Sequence, residues 1–437
     1  MTYFLTTLFG SGPLRSFQSA DYSLYWISSV LSIMSHMMLI LFRGWVALEL
    51  TNNTNIVTAA ATAGELPSLI LSLPGGVLAD RLNRKVILIG AEIVTVVTLL
   101  VFVVLMATNQ IEVWSLMVLT AIAGIAFALA IPSRMAIVPN LVSRANMANG
   151  IALSSIMFSG GMFLGNPIGG YVTDELGDAA GFLLAAVLSI VSILFLLPVN
   201  TRQDIHRGAR SMMSVARDTV EGAVFVWRYK IIMGLMAIAA AAIVFGSPYQ
   251  SILVVFSRDV LDSAATGAGI LGSAAGAGSM MGSITIASFN TPRAIRNTIL
   301  IGGIGFGLAL LAFSLSPVLM LSAAVALMAG YGFQLCLVAT TARAQMVISD
   351  SMRGRVAAVR TTTWGAAPLG FTMIGWLAQQ YGAPTATAIM AMITLAATLL
   401  IILLFPALRG TAMPERLLDM EMGDTEPELP VSVRDAT

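Results

Sequence analysis

His36, Arg43, Glu65 and Glu92 each interrupt a long apolar stretch, and their types and setting are the ones in this chain that could do chemistry. Arg43 precedes a polar turn at 51–54 by about nine residues and Glu65 follows it by about ten, which at 1.5 Å rise places both roughly 13–15 Å from the turn. Two antiparallel helices joined there would bring cation and carboxylate to one level. A carboxylate beside a buried cation can take up or release a proton when its surroundings change. The same placement serves equally for a structural ion pair, because an unpaired buried charge is costly. His36 can titrate near neutral pH or pack as a neutral ring. Glu92 is expected to snorkel towards the basic loop that precedes it. The later apolar stretches carry neutral groups instead: Tyr249, Gln250, Tyr331, Gln334 and Trp364 offer aromatic faces and uncharged hydrogen bonds to a ligand.

Other chemistries find no residues. Neither Lys85 nor Lys230 follows a glycine, so no G-x-x-x-x-G-K-[ST] phosphate loop exists and ATP is not expected as a partner. No H-E-x-x-H or G-x-S-x-G occurs, and two histidines with one cysteine, Cys336, leave no expected metal site, cofactor or enzyme activity.

The elements that must position these groups follow from the charge pattern. Only 10% of the 437 residues are charged, against about 25% in a soluble domain. The basic residues cluster at every second break between apolar runs: Arg81, Arg84 and Lys85; Arg134 and Arg144; Arg202 to Lys230; Arg293 and Arg296; Arg343 to Arg360. The alternate breaks, near 51–54, 108–112, 173–181, 315–317 and 381–384, contain no Lys or Arg, and only Arg43 and Arg258 fall outside the pattern. Such alternation marks the cytoplasmic face. It predicts an all-α membrane protein in the cell's inner membrane, both termini inside, with no nucleic-acid partner. Cutting at the breaks gives roughly twelve continuous transmembrane helices of about 20 residues or more: 22–50, 55–79, 86–107, 113–139, 146–173, 179–198, 231–257, 265–288, 295–315, 318–347, 356–381 and 384–406.

The expected organisation is an N-terminal segment 1–21, a six-helix bundle 22–199, a cytoplasmic central loop 200–230, a second six-helix bundle 231–408, and a disordered acidic tail 409–437. The loop includes an amphipathic stretch from Ser214 to Trp227 that would lie along the membrane surface. The bundles echo each other. Arg134…Pro139-Asn140…Arg144 matches Arg343…Ser349-Asp350…Arg353-Gly354-Arg355, and Gly165…Gly170-Tyr171…Leu176-Gly177 matches Gly370…Gly375-Trp376…Tyr381-Gly382. Two pseudo-symmetric six-helix halves with a small-molecule site between them are a secondary-transporter layout.

Gly76-Val77-Leu78-Ala79-Asp80-Arg81-Leu82-Asn83-Arg84-Lys85 resembles the G-x-x-x-D-R-x-x-R-K signature of the major facilitator superfamily, with Asn83 where that family usually has glycine. The resemblance implies that Gly76, Asp80, Arg81, Arg84 and Lys85 latch the cytoplasmic side shut. Asp80 would accept charge-assisted bonds from Arg84 or from the start of the eleventh helix. The alternative is that the basic residues serve topology alone. The fifth span, with Gly161, Gly165, Pro167, Gly169 and Gly170, is similar to the antiporter motif of drug-exporting facilitators, although its proline comes one position late. Small residues at this spacing also serve ordinary helix packing, and the arginine that many drug–proton antiporters carry early in the fourth span is absent. More diffusely, the chain resembles the enterobactin-exporter-like branch. These resemblances imply proton-coupled export of a mostly apolar, siderophore- or drug-like molecule by a monomer working through alternating access. Uptake or facilitated diffusion of a small metabolite, or a non-transporting receptor or scaffold, are the competing readings.

Overall fold

The computed structural model describes residues 14–143, 146–201, 212–289 and 291–410, so the acidic tail and most of the N-terminal segment lie outside the described residues. The described chain is helical throughout. Its principal helices are α1 (Ala20–Thr51), α2 (Thr54–Arg81), α3 (Arg84–Ala107), α4 (Val113–Leu141), α5 (Met147–Leu176), α6 (Asp178–Leu196), α7 (Met212–Arg228), α8 (Lys230–Ala241), α9 (Leu253–Asp259), α10 (Ala265–Ala287), α11 (Pro292–Ser314), α12 (Leu319–Val347), α13 (Asp350–Trp364), α14 (Ala367–Tyr381) and α15 (Ala383–Leu404). Among the described residues, ten spans are long and apolar enough to cross a membrane, one of them running through α8 and α9. The second expected crossing is α2. Its 28 residues would reach about 42 Å as an ideal helix. Large side chains well inside the spans, such as Ile301 and Met328, are about two-thirds exposed, at 66% and 63%, as a lipid-facing surface requires and a water-facing one does not.

Local sequence explains the ends. The turn after α1 is made by Asn52 at φ 49° and by Asn53, whose side chain accepts from the Asn55 amide at 2.9 Å; asparagine tolerates the left-handed region and caps helices well. Gly177 and Gly382, at φ 84° and 82°, end α5 and α14 at corresponding places in the two halves, where a side chain would be strained.

Two crossings differ from the continuous helices predicted. The seventh is α8, a π turn over Ala242–Gly246, a 3₁₀ turn over Ser247–Ile252, and then α9. Pro248 has no amide to give the Val244 carbonyl, and Gly370 of α14 packs directly onto that carbonyl and the proline ring. The eleventh is split into α13 and α14 at Gly365–Ala366. Pro368, the second residue of α14, has no amide to give the Trp364 carbonyl four residues back.

α1 packs on α5 and α6, α2 on α4, and α3 on α6, while α12 packs on α10 and α11 and α15 on α11. The halves meet along α5–α10 and α2–α14. α7 packs on α13, with Gly222 against the Arg355 carbonyl and Glu221 bonded to Arg355 at 3.2 Å.

Candidate functional site

Ser32, His36 and Arg43 lie at i, i+4 and i+11 on α1, within roughly 40° of one another around the helix at 3.6 residues per turn. They form one polar stripe along a buried helix. Arg43 is 5% exposed, and its Nη2 stands 3.9 Å from Glu65 Oε1, whose side chain is 33% exposed. The predicted pair between α1 and α2 is therefore present. Its geometry depends on a residue that charge-based reading overlooked: a Cβ on Gly64 would sit 1.8 Å from Arg43 Nη1. The guanidinium occupies the space this glycine leaves. Gly124 of α4 makes a similarly close approach to the Gly64 carbonyl, so α1, α2 and α4 converge on the pair.

A second ion pair lies further along the same stripe. Glu92 does not snorkel towards the basic loop: its side chain is 8% exposed and stands 3.4 Å from Arg134 Nη2 of α4. Arg134, grouped above with the loop charges, is buried at 4% and donates to Ser32 Oγ at 2.8 Å. The Ser32 hydroxyl in turn donates to Glu92. Tyr25 fixes the backbone here by donating to the Arg134 carbonyl at 2.7 Å. His36 stacks on Phe127 at 3.6 Å between centroids. Ser32, His36, Glu92, Thr95, Phe127 and Arg134 line a small cavity. Along α1, His36 lies between Ser32, which bonds the Glu92–Arg134 pair, and Arg43 of the other pair. The sequence did carry a signal for Arg134, which falls inside the fourth apolar run. Arg343, its counterpart in the second half, has a different job. It donates to the carbonyls of Ala407, Leu408 and Gly410 at 3.1, 2.8 and 2.7 Å and so ties down the chain after α15.

The proposed ligand groups of the second half are dispersed. Tyr331 and Gln334 share α12 and face α10, donating to Thr285 at 3.3 Å and Ser283 at 2.9 Å. Trp364, at the end of α13, is 46% exposed and meets Phe333 edge-on. Gln250 is half-buried in the 3₁₀ turn. Tyr249 is 2% exposed and packed on Phe313, so in this conformation it presents no open face.

The side chains of Gly76, Asp80 and Arg81 lie outside the described residues. Arg84 and Lys85 contact helices of their own half: Arg84 donates to the Ala136 carbonyl at 2.7 Å, and Lys85 to Leu197 and Val199 at 2.6 and 2.9 Å, cations on helix C-terminal carbonyls.

The glycine-rich face of α5 has two partners. Gly161, Gly165 and Gly169 receive Ile33, Met34, and Met38 with Phe42 of α1, whereas Gly170 receives Ala265 and Thr266 of α10. Pro167 cannot donate to the Phe163 carbonyl one turn back. That freed carbonyl accepts from Ser273 of α10 at 2.7 Å. The proline thus creates a polar contact between the halves.

Two halves of apolar helices, with paired charges buried in one and neutral groups in the other, define a secondary transporter of the major facilitator type. Comparison with known proteins agrees: residues 11–429 match the family described as transmembrane secretion effector, and the chain belongs to this family of efflux-type facilitators. It is 24% identical over 347 residues to the multidrug efflux pump Tap of Mycolicibacterium fortuitum, covering 77% of this chain and 84% of that one. Among solved structures, a POT family transporter in complex with 5-aminolevulinic acid aligns with a TM-score of 0.69 at 12% identity, over 90% of this chain and 97% of that one. The nucleoside transporter NupG aligns with a TM-score of 0.67 at 15% identity, over 88% and 99%. At such identities these two likenesses show the fold alone.

Proposed function

We propose that this transporter couples proton movement to export of a mostly apolar, drug- or siderophore-like organic molecule. It would sit in the inner membrane with both termini cytoplasmic, the bundles spanning 22–199 and 231–408 and Asp80 latching the cytoplasmic end shut in the outward-facing state. The observation that carries the reading is the asymmetry of charge. Both buried ion pairs, Arg43–Glu65 and Glu92–Arg134, belong to the first half, and the efflux relative supports the direction. Glu65 is the coupling carboxylate of choice because it is the less enclosed of the two, 33% exposed against 8%, and the more loosely held by its cation, at 3.9 Å against 3.4 Å. Tyr331, Gln334 and Trp364 would meet the organic molecule without competing for that charge.

The test is transport of a panel of apolar, drug-like dyes by the purified protein in vesicles with an imposed pH gradient. Glu65→Gln is expected to abolish gradient-driven accumulation while dye binding stays within about twofold, since the substitution keeps the side chain's shape and removes only a group whose charge state exchanges. Accumulation that survives in this variant would move the proton site to Glu92 or His36, and absence of any pH-dependent transport by the native protein would refute coupling.

A further inference from the structure

At the end of the bundle poor in Lys and Arg, where Arg258 of the second half also donates to the Leu48 carbonyl at 3.4 Å and to Asn52, two further hydrogen-bonded contacts tie the halves together and share one local design. Asp174, in the last turn of α5, accepts from the Ala265 amide at 2.9 Å through Oδ1 and from the Thr266 amide at 2.7 Å through Oδ2. These are the first two residues of α10, whose N-terminal amides have no partner within their own helix. One turn before Asp174, Gly170 lets that helix end approach: a Cβ there would lie 2.5 Å from the Ala265 carbonyl. In the second half, Gln379 in the last turn of α14 accepts from the Thr54 amide at 2.8 Å, at the first residue of α2. One turn before it, Gly375 lies directly against Thr58 of the same helix. Each site is a glycine that admits the captured helix and, four residues on, an oxygen that takes its free amides. The partners are exchanged between halves, α5 holding α10 and α14 holding α2.

The pattern occurs a third time, at the opposite end. Gly76-Val77-Leu78-Ala79-Asp80 ends α2 as Gly170-Tyr171-Val172-Thr173-Asp174 ends α5 and Gly375-Trp376-Leu377-Ala378-Gln379 ends α14. Helices two and five run in opposite directions through the bundle, as expected where each half contains inverted three-helix repeats. A motif repeated at the end of both therefore appears once at each face. The fourth equivalent place, after Gly282 of α10, has Ile286 instead of an oxygen.

We propose that Asp174 and Gln379 form a two-point latch that holds the end poor in Lys and Arg closed, the counterpart of the latch proposed for Asp80 at the basic end. The cycle would then exchange one set of captured helix N-termini for the other. Asp174 is the stronger member: it is a carboxylate receiving two amides at the positive end of a 23-residue helix. Gln379 is neutral and receives one. The proposal depends on neither the substrate nor the coupling ion, so it can fail or succeed separately from the reading of function above.

The test is a distance measurement across the end poor in Lys and Arg of the full-length protein in nanodiscs. Spin labels are placed at Gln110→Cys and Leu315→Cys, exposed turn positions on the two halves, in a Cys336→Ala background. Asp174→Ala is expected to raise the ratio of open to closed populations about five- to tenfold, the size of a lost N-terminal cap with its charge. Gln379→Ala should raise it about two- to threefold, and Gln379→Glu should lower it. Glu175→Gln, one residue from the latch, should leave it unchanged, whereas Asp80→Asn should shift it towards closure of this end. Hydrogen exchange at the Ala265 and Thr266 amides should quicken in Asp174→Ala without a change at Thr54. Superimposable distance distributions for Asp174→Ala and the parent protein, a parent with no closed population, or unchanged exchange at those two amides would each overturn the proposal.

Discussion

The two buried ion pairs differ in how much each partner depends on the other, and the difference can be measured. Their separations, 3.4 Å for Glu92–Arg134 and 3.9 Å for Arg43–Glu65, are close. At an effective dielectric constant near 20 the direct attractions are about 4.9 and 4.3 kcal/mol, and these do not separate them. Burial does. Glu92 and Arg134 are 8% and 4% exposed, whereas Glu65 is 33% exposed and so less enclosed by protein. Breaking a fully buried pair typically costs about 3–5 kcal/mol, so Glu92→Gln or Arg134→Gln alone should approach that loss. The Glu92→Gln/Arg134→Gln double variant should regain about 2–3 kcal/mol of the summed losses, the upper range of measured pair couplings. For Arg43→Gln with Glu65→Gln the corresponding coupling should be about 1 kcal/mol, discounted for the exposed carboxylate. Cys336, 0% exposed, makes a direct assay possible: a thiol-reactive dye reports thermal unfolding only when this single cysteine is uncovered. Additive losses in the Glu92/Arg134 cycle, or a larger coupling for Arg43/Glu65, would refute the assignment of the deeper pair as the tighter one.

Two further predictions use the same assay or transport rates. Ser273→Ala should leave the Phe163 carbonyl without the hydroxyl that Pro167 made necessary, destabilising the α5–α10 contact by about 1–2 kcal/mol; an unchanged unfolding midpoint would show that the carbonyl finds another donor. Gly64→Ala should force the Arg43 guanidinium out of its present position and cost about 1–3 kcal/mol, with pH-driven transport impaired more than dye binding. Normal coupling in this variant would separate the Arg43 position from function.

Most of the architecture was readable because a bilayer allows few solutions. Basic residues alternate between faces, apolar runs match the membrane thickness, and the depths of Arg43 and Glu65 could be counted from the turn they share. What escaped had a local physical cause. Arg134 and Glu92 were each assigned to a neighbouring basic loop because a long side chain near a helix end can reach water. Neither does, since Ser32 of α1 bonds both and the Arg134 guanidinium and the Glu92 carboxylate pair with each other inside the bundle. The breaks in the seventh and eleventh crossings were written in Pro248 and Pro368. The rule that lipid demands continuous helix outweighed them, although irregular backbone is tolerated where other helices bury it, as Gly370 does here. Gly64 carried no sequence signal beyond being small, and its role appears only when the guanidinium beside it is located.

The placement of charge also bears on how one chain could keep proton and cargo from interfering. A proton site needs a carboxylate whose environment changes during the cycle. The first half has two candidates, Glu65 on α2 and Glu92 on α3, both facing the polar stripe of α1 that carries Ser32, His36 and Arg43. Any tilt of α1 relative to α2 alters the Arg43–Glu65 separation, while its contacts with α3 and α4 set the Glu92–Arg134 distance. The glycines of α5 seat the same helix, and α5 also carries Gly170 and Asp174 against α10. Movement between the halves is therefore mechanically connected to both carboxylates through one helix, α1, with α5 as the intermediary. Coupling of the kind proposed would require no wire between distant sites, because one packed pair of helices, α1 and α5, touches the charges on one side and the contact between the halves on the other.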